Sequence, residues 1–178
     1  MLDDALLELV GSALKPLGAR AEGGEEYRSP ALDVLGYFSR RVKLSWVPVL
    51  GRGLSVAMVV RQPVDLSLGG DGARMLVERL TMALNARYPP VRGLSIGLTG
   101  VVLGPEPIGP EDDEGLRKAI EAPARSRVVP LGLFRLNLGQ EAMAMALARG
   151  PDGLFPEPEV LADALTPHFR RFVPLIGI

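Results

Sequence analysis

Apolar and polar positions along the chain change their period several times, and each change marks an element. Leu54-Ser-Val-Ala-Met-Val-Val-Arg-Gln-Pro63 is a continuous apolar run with β-branched residues, led in by Gly51-Arg52-Gly53 and stopped by Pro63. That pattern predicts a strand buried on both faces. Upstream, Leu2, Leu6, Leu9, Val10, Ala13, Leu14 and Leu17 recur at helical spacing, with Asp3 and Asp4 in the first turn and Pro16 and Gly18 at the end. These features predict an opening helix from Leu2 to Leu17. The polar stretch Ala19 to Pro30 reads as a loop or an edge strand. Leu32 to Phe38 and Val42 to Leu50 read as two strands that join the central run in a meander, the last two as a hairpin. Trp46 alternates with Leu44 and Pro48 and is expected to share a face with them.

Asp71 stands as a plausible N-cap for a helix reaching about Tyr88, with Met75, Leu76, Leu80, Ala83 and Leu84 on one side and Pro89-Pro90 as its stop. Leu94 to Leu103 is a second buried strand, relieved by Gly97 and Gly100, which are expected to permit close packing or a bulge. Glu111 to Ala122 is an acidic-start helix and Val128 to Leu138 a third apolar strand. Gln140 to Ala148, rich in Ala and Met, reads as a short helix, and Val160 to about Phe172 as the last one. The order predicts an α+β fold: an α/β sandwich with a mixed sheet, an N-terminal helix, a three-strand meander, then alternating helices and strands. Residues 1–150 form one α+β domain. Residues 151–178 form a C-terminal helix and an apolar tail packed on the domain or on a partner subunit.

Composition narrows the chemistry. The 178 residues are 47% hydrophobic and 23% charged, with a formal net charge of −1, so there is no global pull toward nucleic acid or an anionic membrane. Arginine supplies 17 of the 20 basic residues, leaving only Lys15, Lys43 and Lys118. The absence of cysteine excludes disulfides, thiolate metal sites and cysteine nucleophiles. His168 is the only histidine, and no partner cluster is visible beside it. The acidic N-terminus and the lack of a long apolar stretch point to a cytoplasmic protein without a membrane segment.

The element order, with a central strand ending Val59-Val60-Arg61-Gln62-Pro63, resembles the core of restriction-endonuclease-like nucleases, the PD-(D/E)XK superfamily. The resemblance covers roughly residues 1 to 103. It implies an acid-x-lysine motif at the end of this strand, with carboxylates holding a divalent metal. Arg61 stands in the lysine position, but Val59 stands in the acid position. Asp33 matches at most the earlier strand acid and Glu8 an acid of the opening helix. Glu8, Asp33 and Arg61 are thus the candidates for a degenerate site, with no metal and no cofactor implied.

No Asp or Glu occurs from Val34 to Val64, and the same stretch carries Arg40, Arg41, Lys43, Arg52 and Arg61. Arg40, Arg41, Lys43 and Arg52 are the candidate face for a phosphate backbone or another anion; the competing expectation is charge guarding an exposed strand edge. The tail Phe172 to Ile178, with Leu175, Ile176 and Ile178, is expected to dock on the domain or on a second copy in a homodimer. The functional expectation is a non-catalytic interaction or regulatory module. The alternatives are a degenerate nuclease-like nucleic-acid-binding protein and a small-ligand-binding domain.

Overall fold

The apolar run at the centre of the sequence forms the centre of the sheet. In the computed structural model, which describes residues 2–22, 32–43, 52–69, 71–90, 94–121, 127–148 and 154–171, it is strand β3 (Arg52–Arg61). From Val56 to Val60 every side chain is buried, alternate ones on opposite faces. Only a strand covered on both sides has use for such a run.

Before it come helix α1 (Leu2–Leu14), a 3₁₀ turn (Lys15–Leu17) and strands β1 (Arg20–Glu22) and β2 (Asp33–Lys43). After it come α2 (Gly72–Arg87), β4 (Leu94–Leu103), α3 (Asp112–Glu121), β5 (Val128–Asn137), β6 (Ala142–Leu147), α4 (Glu157–Leu165) and β7 (Arg170–Arg171). The seven strands form one mixed sheet in chain order, β1 to β7. β1, β2 and β3 are antiparallel neighbours, β3, β4 and β5 run parallel, β6 returns antiparallel and β7 lies parallel to β6. The parallel steps are made through α2, α3 and α4. The fold is therefore the expected α+β sandwich with a mixed sheet.

Helices cover both faces. On one, Leu76, Leu80 and Leu84 of α2 and Leu116, Ala119 and Ile120 of α3 pack over Tyr37, Met58, Leu98 and Leu133. On the other, Leu6, Val10 and Leu14 of α1 and Leu161 and Leu165 of α4 pack over Phe38, Val59, Val101 and Phe134. α1 closes on the sheet at Gly36, where a Cβ would fall 2.4 Å from Leu7 Cδ2. The helix ends at Gly18, whose φ of 82° is the left-handed conformation glycine adopts without strain.

Several expectations are corrected. Gln140 to Ala148 is not a helix. Ala142, Ala144 and Ala146 face one side of the sheet and Met143 and Met145 the other, a strand period paired to β5 across the tight turn at 138–141. The two strands Leu32–Phe38 and Val42–Leu50 are one strand through Lys43; residues 44–50, with Trp46, lie outside the described residues. The meander survives because β1 supplies its first strand. Asp71 sits at the N-cap of α2 but makes no side-chain cap bond. Met75 faces outward rather than into the core. The last helix begins at Glu157 and ends at Leu165. The apolar tail 172–178 lies outside the described residues. No helix among the described residues is long and apolar enough to cross a membrane.

Candidate functional site

Because β3, β4 and β5 run parallel, their carboxyl ends gather at one side of the sheet, outside which ligands bind in many open α/β sheets. Here that side is held by internal ion pairs. Arg61 bonds to Asp3 and lies 3.1 Å from Asp33, its register partner across β2–β3. Two of the three sequence candidates thus meet. The third does not: Glu8 faces away, lining a groove of about 460 Å³ with Ser12, Leu138, His168 and Phe169. Asp3 takes the place a second carboxylate would have held. Val59 is fully buried in the core, so nothing replaces the missing acid at that position. Among the described residues, no group of three or more His, Asp or Glu side chains is gathered to hold a metal ion.

Behind Arg61 lies a cluster that sequence reasoning missed. Arg135, near the carboxyl end of β5, is buried with its side chain 4% exposed. It bonds to Asp112, which is nearly as buried, and reaches Glu106 Oε2 at 3.2 Å and the carbonyls of Glu106 and Pro107. Asn137 donates to the carbonyls of Pro105 and Glu106, and Asp112 accepts from the Gly109 amide at 2.7 Å. Burial pushes the Glu106 carboxyl up, but bonds from Gln62, the Leu68 amide and Ser67, with the Arg135 charge, hold it below the ordinary value. Two residues from β5 therefore tie down the 104–110 loop that leads into α3. The available signal was an arginine inside an apolar strand: such a charge is buried only with partners.

The opposite end of the sheet has another character. β1 is three residues long and covers β2 only as far as Ser39. Where β1 stops, a concave site of about 660 Å³ opens. Arg20, Glu22, Ser39, Arg41, Leu54 and Tyr88 line it, with Leu17, Gly18 and Arg40. Strand geometry aligns the charges. Arg20 is opposite Ser39, Arg41 opposite Leu54, and Lys43 opposite Arg52; directly opposed residues share a face. Ser39, Arg41 and Lys43 follow at intervals of about 7 Å along that face.

The wall near α2 is acidic and aromatic. Glu22 accepts from Ser39 Oγ and from Arg87, both at 2.5 Å. Burial pushes the Glu22 carboxyl up, but the Ser39 and Arg87 bonds and the Arg87 charge hold it below the ordinary value. Arg87 also lies over the rings of Tyr37 and Tyr88, 5.3 and 5.6 Å from their centroids. The two tyrosine hydroxyls are 2.6 Å apart. Burial, then the Tyr88 bond, raises the pKa of Tyr37, so the phenol stays protonated and donates or accepts as a neutral group.

Of the four residues proposed as an anion face, Arg40 belongs to a different contact. Its side chain crosses to the α1/α4 face, bonding Glu157 Oε1 at 2.7 Å and the Leu154 carbonyl at 3.0 Å. Arg41, Lys43 and Arg52 remain, joined by Arg20, which sequence reasoning did not single out. Among the described residues, none of these four has a carboxylate partner. By contrast Arg40, Arg61, Arg79, Arg87, Arg117, Arg135 and Arg171 are all paired to acids.

No protein-family model matches the chain, and neither a curated protein nor a solved structure matches it.

Proposed function

We propose that the chain is a non-catalytic interaction module that binds a phosphate-bearing or similarly anionic ligand in the groove at the amino end of β3. The observation that carries this is the set of cations without acid partners. A protein that pairs most of its described arginines internally leaves Arg20 and Arg41 lining a concave site and the opposed Lys43 and Arg52 next along the same strand face. Arginine is suited to such a role because its planar fork meets phosphate oxygens two at a time. The carboxyl end of the sheet supports the same conclusion by contrast, since its cations are already engaged by Asp3, Asp33, Asp112, Asp113 and Glu106.

The test is calorimetric titration with inorganic triphosphate at low and moderate salt, on the wild type and on the R41A/K43A double variant. Binding by the wild type that weakens with salt, and that the double variant loses without a change in melting temperature, is expected. A wild type that binds no triphosphate at low salt removes the proposal.

The degenerate nuclease-like reading keeps one favouring observation, the meeting of Arg61 with Asp33 and Asp3 at the end of β3. Its test is binding of duplex and single-stranded oligonucleotides to the wild type and to R61A. Binding that R61A weakens and R41A/K43A does not would put the nucleic acid at the carboxyl end instead.

A further inference from the structure

The groove is polarised along β2, and this restricts what can fill it. At the α2 end stand the ionised carboxylate of Glu22, its side chain 34% exposed, and the ring of Tyr88. Leu54 and Leu17 supply apolar wall. Past Glu22 the cations follow along the strand: Arg20 opposite Ser39, Arg41 opposite Leu54, then the opposed pair Lys43 and Arg52 farther along the same face. From Ser39 to Lys43 the strand advances about 13 Å.

A ligand made only of phosphates would use the cations and leave the other end unused, where Glu22 is already paired to Arg87 and the Tyr88 ring lines the wall. A long nucleic-acid backbone would find the next cation past Arg20, Arg87, already engaged by Glu22. The volume of about 660 Å³ lies within the range of small-ligand sites. The ligand that satisfies both ends carries a hydrogen-bond donor on a flat or apolar head and an anionic chain on the other side.

We propose, building on the anion-binding reading above, that the groove takes a nucleotide-class ligand. Its base lies against Tyr88 and donates from an exocyclic amine to Glu22, while its phosphates reach Arg20 and Arg41 and extend toward Lys43 and Arg52. Glu22 is then the specificity-determining residue. Ser39 and Arg87 hold its carboxylate in place and ionised, and Tyr88, which lines the groove, supplies aromatic surface for the base.

Titration with ATP, CTP, UTP and inorganic triphosphate, against the wild type, E22Q and Y88A, tests this. The wild type should bind ATP and CTP at least about tenfold tighter than triphosphate, the size expected of a hydrogen bond to a charged group. UTP, which lacks an exocyclic amine, should bind more weakly than either. E22Q should lose that advantage while binding triphosphate as well as the wild type or better. Y88A should weaken nucleotides and leave triphosphate unchanged. Retained triphosphate binding shows that each variant is folded and its cationic end intact. Equal affinity for nucleotides and triphosphate, or nucleotide affinity indifferent to E22Q, overturns the nucleotide assignment and leaves the anion site standing. Absence of binding by every probe overturns both. Tight binding of a single-stranded oligonucleotide with none of a mononucleotide assigns the groove to a polymer and overturns the small-ligand inference.

Discussion

Replacing Arg135 by Met is the sharpest test of how this fold is held together. The side chain is 4% exposed and its principal partner Asp112 is 8% exposed, whereas Glu106 keeps 34% of its side chain in water. The substitution fills much of the same volume, so the cavity contribution is small. The cost comes from what is left behind. Glu106 can rehydrate and keeps its bonds from the Leu68 amide and Ser67. Asp112 cannot rehydrate, and retains the Gly109 amide alone among the donors described here. An acid left uncompensated in a buried pair costs about 3–5 kcal/mol, a large part of the about 5–15 kcal/mol that stabilises a typical domain. At about 2–4 °C per kcal/mol for a chain of this size, the melting temperature should fall by about 6–20 °C. Urea unfolding is the assay, with a lowered midpoint at unchanged slope as the expected result. Changing Asp112 to Asn in the same chain removes the stranded charge, so R135M/D112N should be more stable than the two single losses summed. A loss below about 1 kcal/mol for R135M, or strict additivity in the double variant, would show that the cluster is more hydrated than its burial indicates and would refute the reasoning.

Four other outcomes follow from the same contacts. Glu22 and Glu106 are held below the ordinary 4.5; the unfolded chain therefore binds more protons than the folded one just below that pH, so stability is full above 4.5 and declines as pH falls through the folded values. Thermal melts across acid pH should show this slope, and E106Q should flatten it; an unchanged slope counts against the network. Gly72→Ala would place a Cβ 1.6 Å from the Ser67 carbonyl oxygen, a backbone atom that cannot turn aside, and should cost about 3 kcal/mol or more in urea unfolding. Gly97→Ala would bring a Cβ to 2.6 Å from Leu131 Cδ1 and 2.8 Å from Phe155 Cδ1; these side chains can shift, so the loss should be smaller, about 1–3 kcal/mol. Met143→Ala, at a fully buried position of β6, should cost about 2–5 kcal/mol, whereas a helix in that place with Met143 outward would lose almost nothing.

What the sequence disclosed follows the clarity of each local signal. Buried strands β3, β4 and β5 were legible because a continuous apolar run bounded by glycine or proline has few other uses. Helices α1 and α3 were legible from spacing and from acids in their first turns. β6 was misread because Ala and Met are strong helix formers, and propensity outweighed a period of two that was present in Ala142-Met-Ala-Met-Ala146. The sheet decided it: the outer edge of β5 offers a full ladder of backbone partners, and a short segment meeting it across a tight turn pairs rather than coils. The Arg135 cluster was illegible for another reason. Asp112 and Glu106 lie 23 and 29 positions from Arg135, and no local pattern reports which acids a crossover brings back to a buried arginine.

Arg40 and Arg41 show why the candidate groove could be only half read. In sequence they are one basic dipeptide, and treating them as one patch is natural. In a strand, successive side chains point to opposite faces, so their roles separate. Arg40 goes to Glu157, whose side chain is 3% exposed, and joins β2 to the start of α4. Arg41 goes to the groove beside Arg20. Truncating Arg40 should therefore destabilise the protein by several kcal/mol, about the cost of stranding a buried carboxylate, whatever the ligand. Truncating Arg41 should leave unfolding within about 0.5 kcal/mol of the wild type and reduce anion binding. A variant lacking both would lose binding for two unrelated reasons. Equal effects of R40A and R41A on stability would mean that the strand face assigned to each is wrong, and the groove would lose the alignment on which its anion site depends.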